Sequence, residues 1–108
     1  MDKALLNSQV SGAIWRAEQA DAAEDGSAPA AWLEVSKWEE ELAKLLPATS
    51  AEGRIARRGA VRAAVKAGDD ARAAQLAHLF RSEPGAPAAL KRSLTQLVPA
   101  AERTLATA

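Results

Sequence analysis

The sequence predicts an all-α fold, a compact bundle of about five short amphipathic helices with antiparallel neighbours. Three observations carry that prediction. Apolar residues recur every three or four positions, and no segment alternates with a period of two. Alanine, the strongest helix former, supplies about a quarter of the chain. Runs rich in Gly and Pro separate the periodic segments and leave connections short enough to place consecutive helices side by side. At 108 residues, the chain fits one helical domain, 1–108.

The first helix is expected over 3–23, with Asp2 as its N-cap and Leu6, Val10, Ala13, Ala17 and Ala20 on one apolar face, flanked by Ile14. EDGSAP then breaks the chain at Gly26 and Pro29. A second helix over 30–46 follows, with Ser27 as cap and Pro29 accepted in its first turn. Its stripe is Val35, Trp38, Leu42 and Leu45, widened by Trp32 and Leu46, and Glu39, Glu40 and Glu41 are read as a solvated face.

Pro47 ends that helix, and Thr49-Ser50-Ala51-Glu52 matches a capping box that opens a third helix over 50–67. Its core face is Ile55, Val61 and Val65 with four alanines, and Gly68 stops it. Asp69 or Asp70 caps a fourth helix over 70–82 that buries Ala73, Leu76, Ala77 and Phe80. EPGAP leads into a last helix over 87–106, with Pro87 at its first position and a stripe of Leu90, Leu94, Leu97, Ala101 and Leu105. Pro99 predicts a kink or restart between Val98 and Ala100.

Composition removes several kinds of chemistry. Without Cys there is no disulfide, thiolate nucleophile or cysteine metal site. His78 is the only histidine, so a histidine-rich metal site within one chain is excluded, and its place on a polar helical edge reads as a solvated side chain. Phosphate-loop and dinucleotide motifs are absent from the sequence. The chain is therefore read as a non-enzyme without cofactor or metal. No run of about 18 apolar residues occurs, and the N-terminus lacks the apolar stretch of a signal peptide, so no membrane partner and a cytoplasmic location are expected.

Charge is zero overall but divided unevenly. Residues 1–47 carry four basic and nine acidic groups, whereas 48–81 carry seven basic and three acidic ones. Such asymmetry suits a partner or mutual attraction between the two halves. Within GRIARRGAVRAAVKAGD, Arg54, Arg58, Arg62 and Lys66 follow an i, i+4 row with Arg57 beside it. That row is able to neutralise phosphates, but the segment has no aromatic side chain for base stacking. Alternatively the helix is an alanine-rich inner one whose basic edge lies in solvent or faces Glu34 and Glu41 of the acidic second helix, with Gly53 and Gly59 permitting close approach.

Trp32 and Trp38 lie about 240° apart around a helix, so either one of them is partly exposed and anchors an interface, or Trp32 covers the end of the core under the 24–29 loop. AVRAAVKAGDDARAAQLAHLF resembles the helix-turn-helix of a tetratricopeptide-type unit, with a Gly-Asp turn and a small inner residue at Ala73. Val61 and Ala64 stand where that family places aromatics, and no second copy follows. The resemblance implies helical scaffolding. The leading reading is a small protein–protein interaction module, an adaptor, regulatory or assembly subunit. It would bind another protein or itself through Trp32, Glu39 and Glu40. The alternative is nucleic-acid binding through Arg54, Arg57, Arg58, Arg62 and Lys66.

Overall fold

The computed structural model describes residues 1–103. Five α-helices follow one another: α1 (Lys3–Ala23), α2 (Ala28–Leu45), α3 (Ala51–Lys66), α4 (Asp70–Arg81) and α5 (Ala88–Leu97), with a 3-10 turn at Ala100–Glu102. The first four end within two residues of the expected bounds. No strand occurs among the described residues, and none of their helices is long and apolar enough to cross a membrane.

Local side-chain chemistry sets most of the boundaries. Asp2 accepts a hydrogen bond from the Leu5 amide and starts α1. Ser27 stands at the N-cap of α2 but does not cap it with its side chain, because its hydroxyl donates to Asp25. The α3 cap falls one residue later than the Thr49 box implies. Ser50 Oγ accepts from the Gly53 amide and donates to the Pro47 carbonyl, while Glu52 turns outward to Lys3. Gly68, at φ +76°, takes the left-handed conformation that turns the chain from α3 into α4, and Asp69 then caps α4 by accepting from the Arg72 amide.

α5 is much shorter than expected. Pro87 precedes it as the extended N-cap instead of opening it, and the helix stops at Leu97. Val98 is extended before Pro99, as steric clash with a following proline requires, and the chain restarts as the 3-10 turn. Ala101 is exposed, so it does not continue the stripe of Leu90 and Leu94; buried Val98 extends it instead. Leu105 and the expected helix end at 106 lie outside the described residues.

Packing follows chain order. α1 lies antiparallel to α2 through Arg16–Glu34 and Asp21–Trp32, and α2 lies antiparallel to α3 through Ser36–Ala60 and Leu46–Arg57. α3 also packs against α4 and α5, which touch each other. The result is a slab, 39 × 35 × 17 Å. Leu42, Val61, Leu76, Phe80, Leu90, Leu94 and Val98 supply the larger side chains of its main core, with alanines closing the helix crossings. Ala13, Ala17, Trp32, Val35 and Ala63 form a smaller apolar cluster at the α1–α2–α3 junction.

α2 differs most from its sequence reading. Its buried positions are Trp32, Val35, Ser36, Glu39, Leu42 and Ala43, while Leu45 is half exposed. Flanked by α1 on one side and α3 on the other, the helix buries a wider arc than a single stripe, and that arc is rotated toward Glu39. Ser36 illustrates the polar cost of this. Its buried hydroxyl donates to the Ala60 carbonyl at 2.7 Å and accepts from Arg72 Nε at 3.1 Å, leaving no unmet polar group.

Candidate functional site

α1 and α3 flank α2 in parallel, yet no Cα of one lies within 8 Å of a Cα of the other. Between them runs a groove floored by α2, made of two hollows of about 300 and 230 Å³ that meet at Glu39 and Ile55. Ile14 and Val10 line it from α1, Val35 and Trp32 from α2, and Ile55 and Ala63 from α3. Ile55 is 58% exposed, a correction to its expected place in the core. At position 55 α3 points past its neighbours into the opening, and the core contacts of that turn come from Gly53, Ala56 and Arg57.

Both ends of the groove are tied. At one, Lys3 Nζ pairs with Glu52 at 2.9 Å in an exposed bridge from α1 to α3. At the other, the Trp32 indole N–H donates to both Asp21 carboxylate oxygens at 3.0–3.1 Å, and Lys66 Nζ lies 4.2 Å from the Trp32 ring centroid. Trp32 is therefore buried, not an exposed anchor; the α1 carboxylate and the α3 ammonium fix it from two sides. The tryptophan on open surface is Trp15, opposite the buried face of α1.

Glu39 lies in the floor and contradicts its reading as part of a solvated face. It is 7% exposed and packs across Gly59, where a Cβ would collide with its carboxylate. Oε2 is enclosed without a hydrogen-bond partner. Burial pushes the carboxyl up to about 7, and the nearby Arg62 guanidinium pulls the other way. No ion pair joins Arg62 to Glu39 among the described residues.

The sequence-derived site residues thus separate into two sets. Trp32, Glu39, Arg62 and Lys66 come together on the groove. Glu40 does not; it pairs with Arg72 at 2.8 Å across to α4 and with Lys44 on its own helix. Nor do the other arginines. Arg57, expected on an open basic edge, is 4% exposed and holds Glu83 by two 2.9 Å bonds while donating to the carbonyls of Gly53 and Leu46. The Phe80 ring lies 5.6 Å beneath its guanidinium. Arg54 donates to the Thr49 carbonyl, closing the turn before α3, and Arg58 is half-buried.

Of the two places open to the basic row, it does not take the one against Glu34 and Glu41, because Glu34 pairs with Arg16 and Glu41 with Lys44. Arg57 is withdrawn from beside the row, and the two ends of the row are engaged locally, Arg54 with the Thr49 carbonyl and Lys66 over Trp32.

Val10, Ile14 and Ile55 had no assigned site role in the sequence, and Glu39 was placed on the wrong surface. One signal for Glu39 was present. Positions 32, 39 and 46 recur at seven-residue spacing, which returns a helix to within about 20° of the same direction. Glu39 stands there between Trp32 and Leu46, with glycine available on the next helix. A separate hollow of about 360 Å³ beside Trp38 and Leu45 is lined by Met1 and by Glu41 and Lys44, which pair with each other. Among the described residues no group of His, Cys, Asp and Glu is placed to hold a metal. No protein-family model, curated protein or solved structure matches the chain.

Proposed function

We propose that the chain is a non-catalytic helical interaction module that seats a segment of another protein in the groove between α1 and α3. One observation carries this reading: two parallel helices flank α2 without packing on each other, leaving the apolar Ile55 side chain open above a buried carboxyl. An apolar trough with a few fixed polar groups is the surface type that takes a helix or extended segment of a partner. Supporting it, the groove's ends are tied by Lys3–Glu52 and by Asp21–Trp32–Lys66, so its walls are positioned before anything binds.

Photo-crosslinking tests the assignment. A benzoyl-phenylalanine at position 55 is expected to give an adduct with one polypeptide. The same probe at Leu79, which is equally exposed on α4, is expected to give none. An adduct with a second copy of the chain would make the groove a self-association site. Labelling from position 79 and not 55 would move the interface to α4 and overturn the proposal.

A further inference from the structure

We propose, resting on the reading of the groove as a protein-docking site, that its occupant is an amphipathic helix presenting one Lys or Arg side chain to Glu39. Glu39 is the reason for a cation. Its Oε2 is enclosed against Gly59 with no donor, while Oε1 is not enclosed, has no hydrogen bond among the described residues and is the oxygen that an incoming donor can reach from the groove. An acidic group held in this way offers acceptor capacity that the fold leaves unused, and a charged donor gains most from it in a site shielded from water.

The charged groups around it are few, and two of the four are committed. From α3, Lys66 is held over Trp32 and Glu52 is paired with Lys3. Glu18 borders the groove from α1, and Arg62 stands exposed on the rim. Arg62 lowers the carboxyl's affinity for its proton without making an ion pair with it, so the position facing Glu39 stays open to an incoming ammonium or guanidinium.

The shape of the groove argues for a helix. From Asn7 to Glu18 its α1 wall measures about 16 Å at 1.5 Å per residue, which is about three turns. Its apolar side chains, Val10, Ile14, Val35 and Ile55, come from three helices and suit an i, i+3, i+4, i+7 ridge. The fold makes the analogous contact elsewhere: α3 packs directly on α5, whereas α1 and α3 leave that interval unfilled.

The test uses the 108-residue chain and a phage-displayed library of helical peptides, each with a three-turn apolar ridge and a randomised central position. Selected peptides are resynthesised with Lys, Gln or norleucine at the centre, and NMR shifts of Ile14 and Ile55 report whether they occupy the groove. Lys or Arg is expected at the centre, with Lys binding on the order of tenfold or more tighter than norleucine. That preference is expected to vanish in Glu39→Gln, and in Glu39→Met as a second variant that fills the same space.

Peptides that shift Ile14 and Ile55 but show no cationic preference, or keep it in both variants, overturn the pairing with Glu39 and leave the groove reading standing. A library yielding no peptide that shifts Ile14 or Ile55 overturns both.

Discussion

Glu39 and Gly59 act as a pair. The glycine vacates the volume that the carboxyl fills, so each residue explains the other. Because burial raises the Glu39 carboxyl from 4.5 to about 7, the folded state binds a proton more tightly than the unfolded chain does. Its contribution to stability is therefore fully present below 4.5, is lost progressively as pH rises toward 7, and stays lost above it. The loss across that window is on the order of 2–3 kcal/mol. Urea unfolding on either side of the window checks it, and Glu39→Gln is expected to flatten the dependence.

Gly59→Ala is expected to displace the flexible end of Glu39 toward the groove. Helix propensity offsets most of the cost, leaving a net change within about 1 kcal/mol and a weaker pH dependence. Gly53→Ala behaves differently, since its Cβ would meet the Pro47 backbone carbonyl, which cannot swing aside. Chemical denaturation is expected to show a loss of about 1–3 kcal/mol there. Arg57→Ala leaves Glu83 and the Leu46 carbonyl without their donor, takes a second donor from the Gly53 carbonyl, and is expected to cost about 2–4 kcal/mol. Arg57→Lys recovers only part of that, because an ammonium cannot reproduce the bidentate fork.

At the scale of the helix, turn and cap chemistry made most elements legible. Asp2, Gly68 and Asp69 do what their residue types imply, and Pro99 interrupts the last helix where its ring requires. Helix faces were harder to read, for a physical reason. Periodicity gives the mean direction of an apolar stripe, whereas the buried arc depends on how many neighbours a helix has. α2 has one on each side and buries Glu39 and Ser36; α3 buries Arg57 because the loop carbonyl of Leu46 and the carboxylate of Glu83 meet it there. Conversely, Ile55 is open because the α1 and α3 backbones stay more than 8 Å apart there. Ile55→Asp tests that last point: thermal unfolding is expected to change little, within about 0.5 kcal/mol, while peptide binding read by the Ile14 shift is lost.

Over the whole molecule, cohesion is uneven. α3 lies close to α2, α4 and α5 along its backbone, whereas the backbone of α1 is close to α2 alone and meets α3 through side chains such as the exposed Lys3–Glu52 bridge. Native-state hydrogen exchange is expected to show α3 amides opening only with global unfolding, and α1 amides opening earlier as a separate unit. Uniform protection across both would contradict this. Titration with labelled DNA and RNA at two salt concentrations is expected to give only weak binding, no tighter than about 10⁻⁴–10⁻⁶ M, since Arg57 turns inward to Glu83 and the ends of the row are engaged locally. Tight binding abolished by charge reversal at Arg58 and Arg62 would instead restore the phosphate-binding alternative.

The single-sided attachment of α1 also bears on what occupancy does to folding. A helix seated in the groove touches α1 and α3 at once and supplies the contact that the free chain lacks. Opening of α1 would then require releasing the ligand, so two exchange units become one. The signature of binding is thus a sharper unfolding transition in addition to a later one, with the α1 amides gaining the most protection.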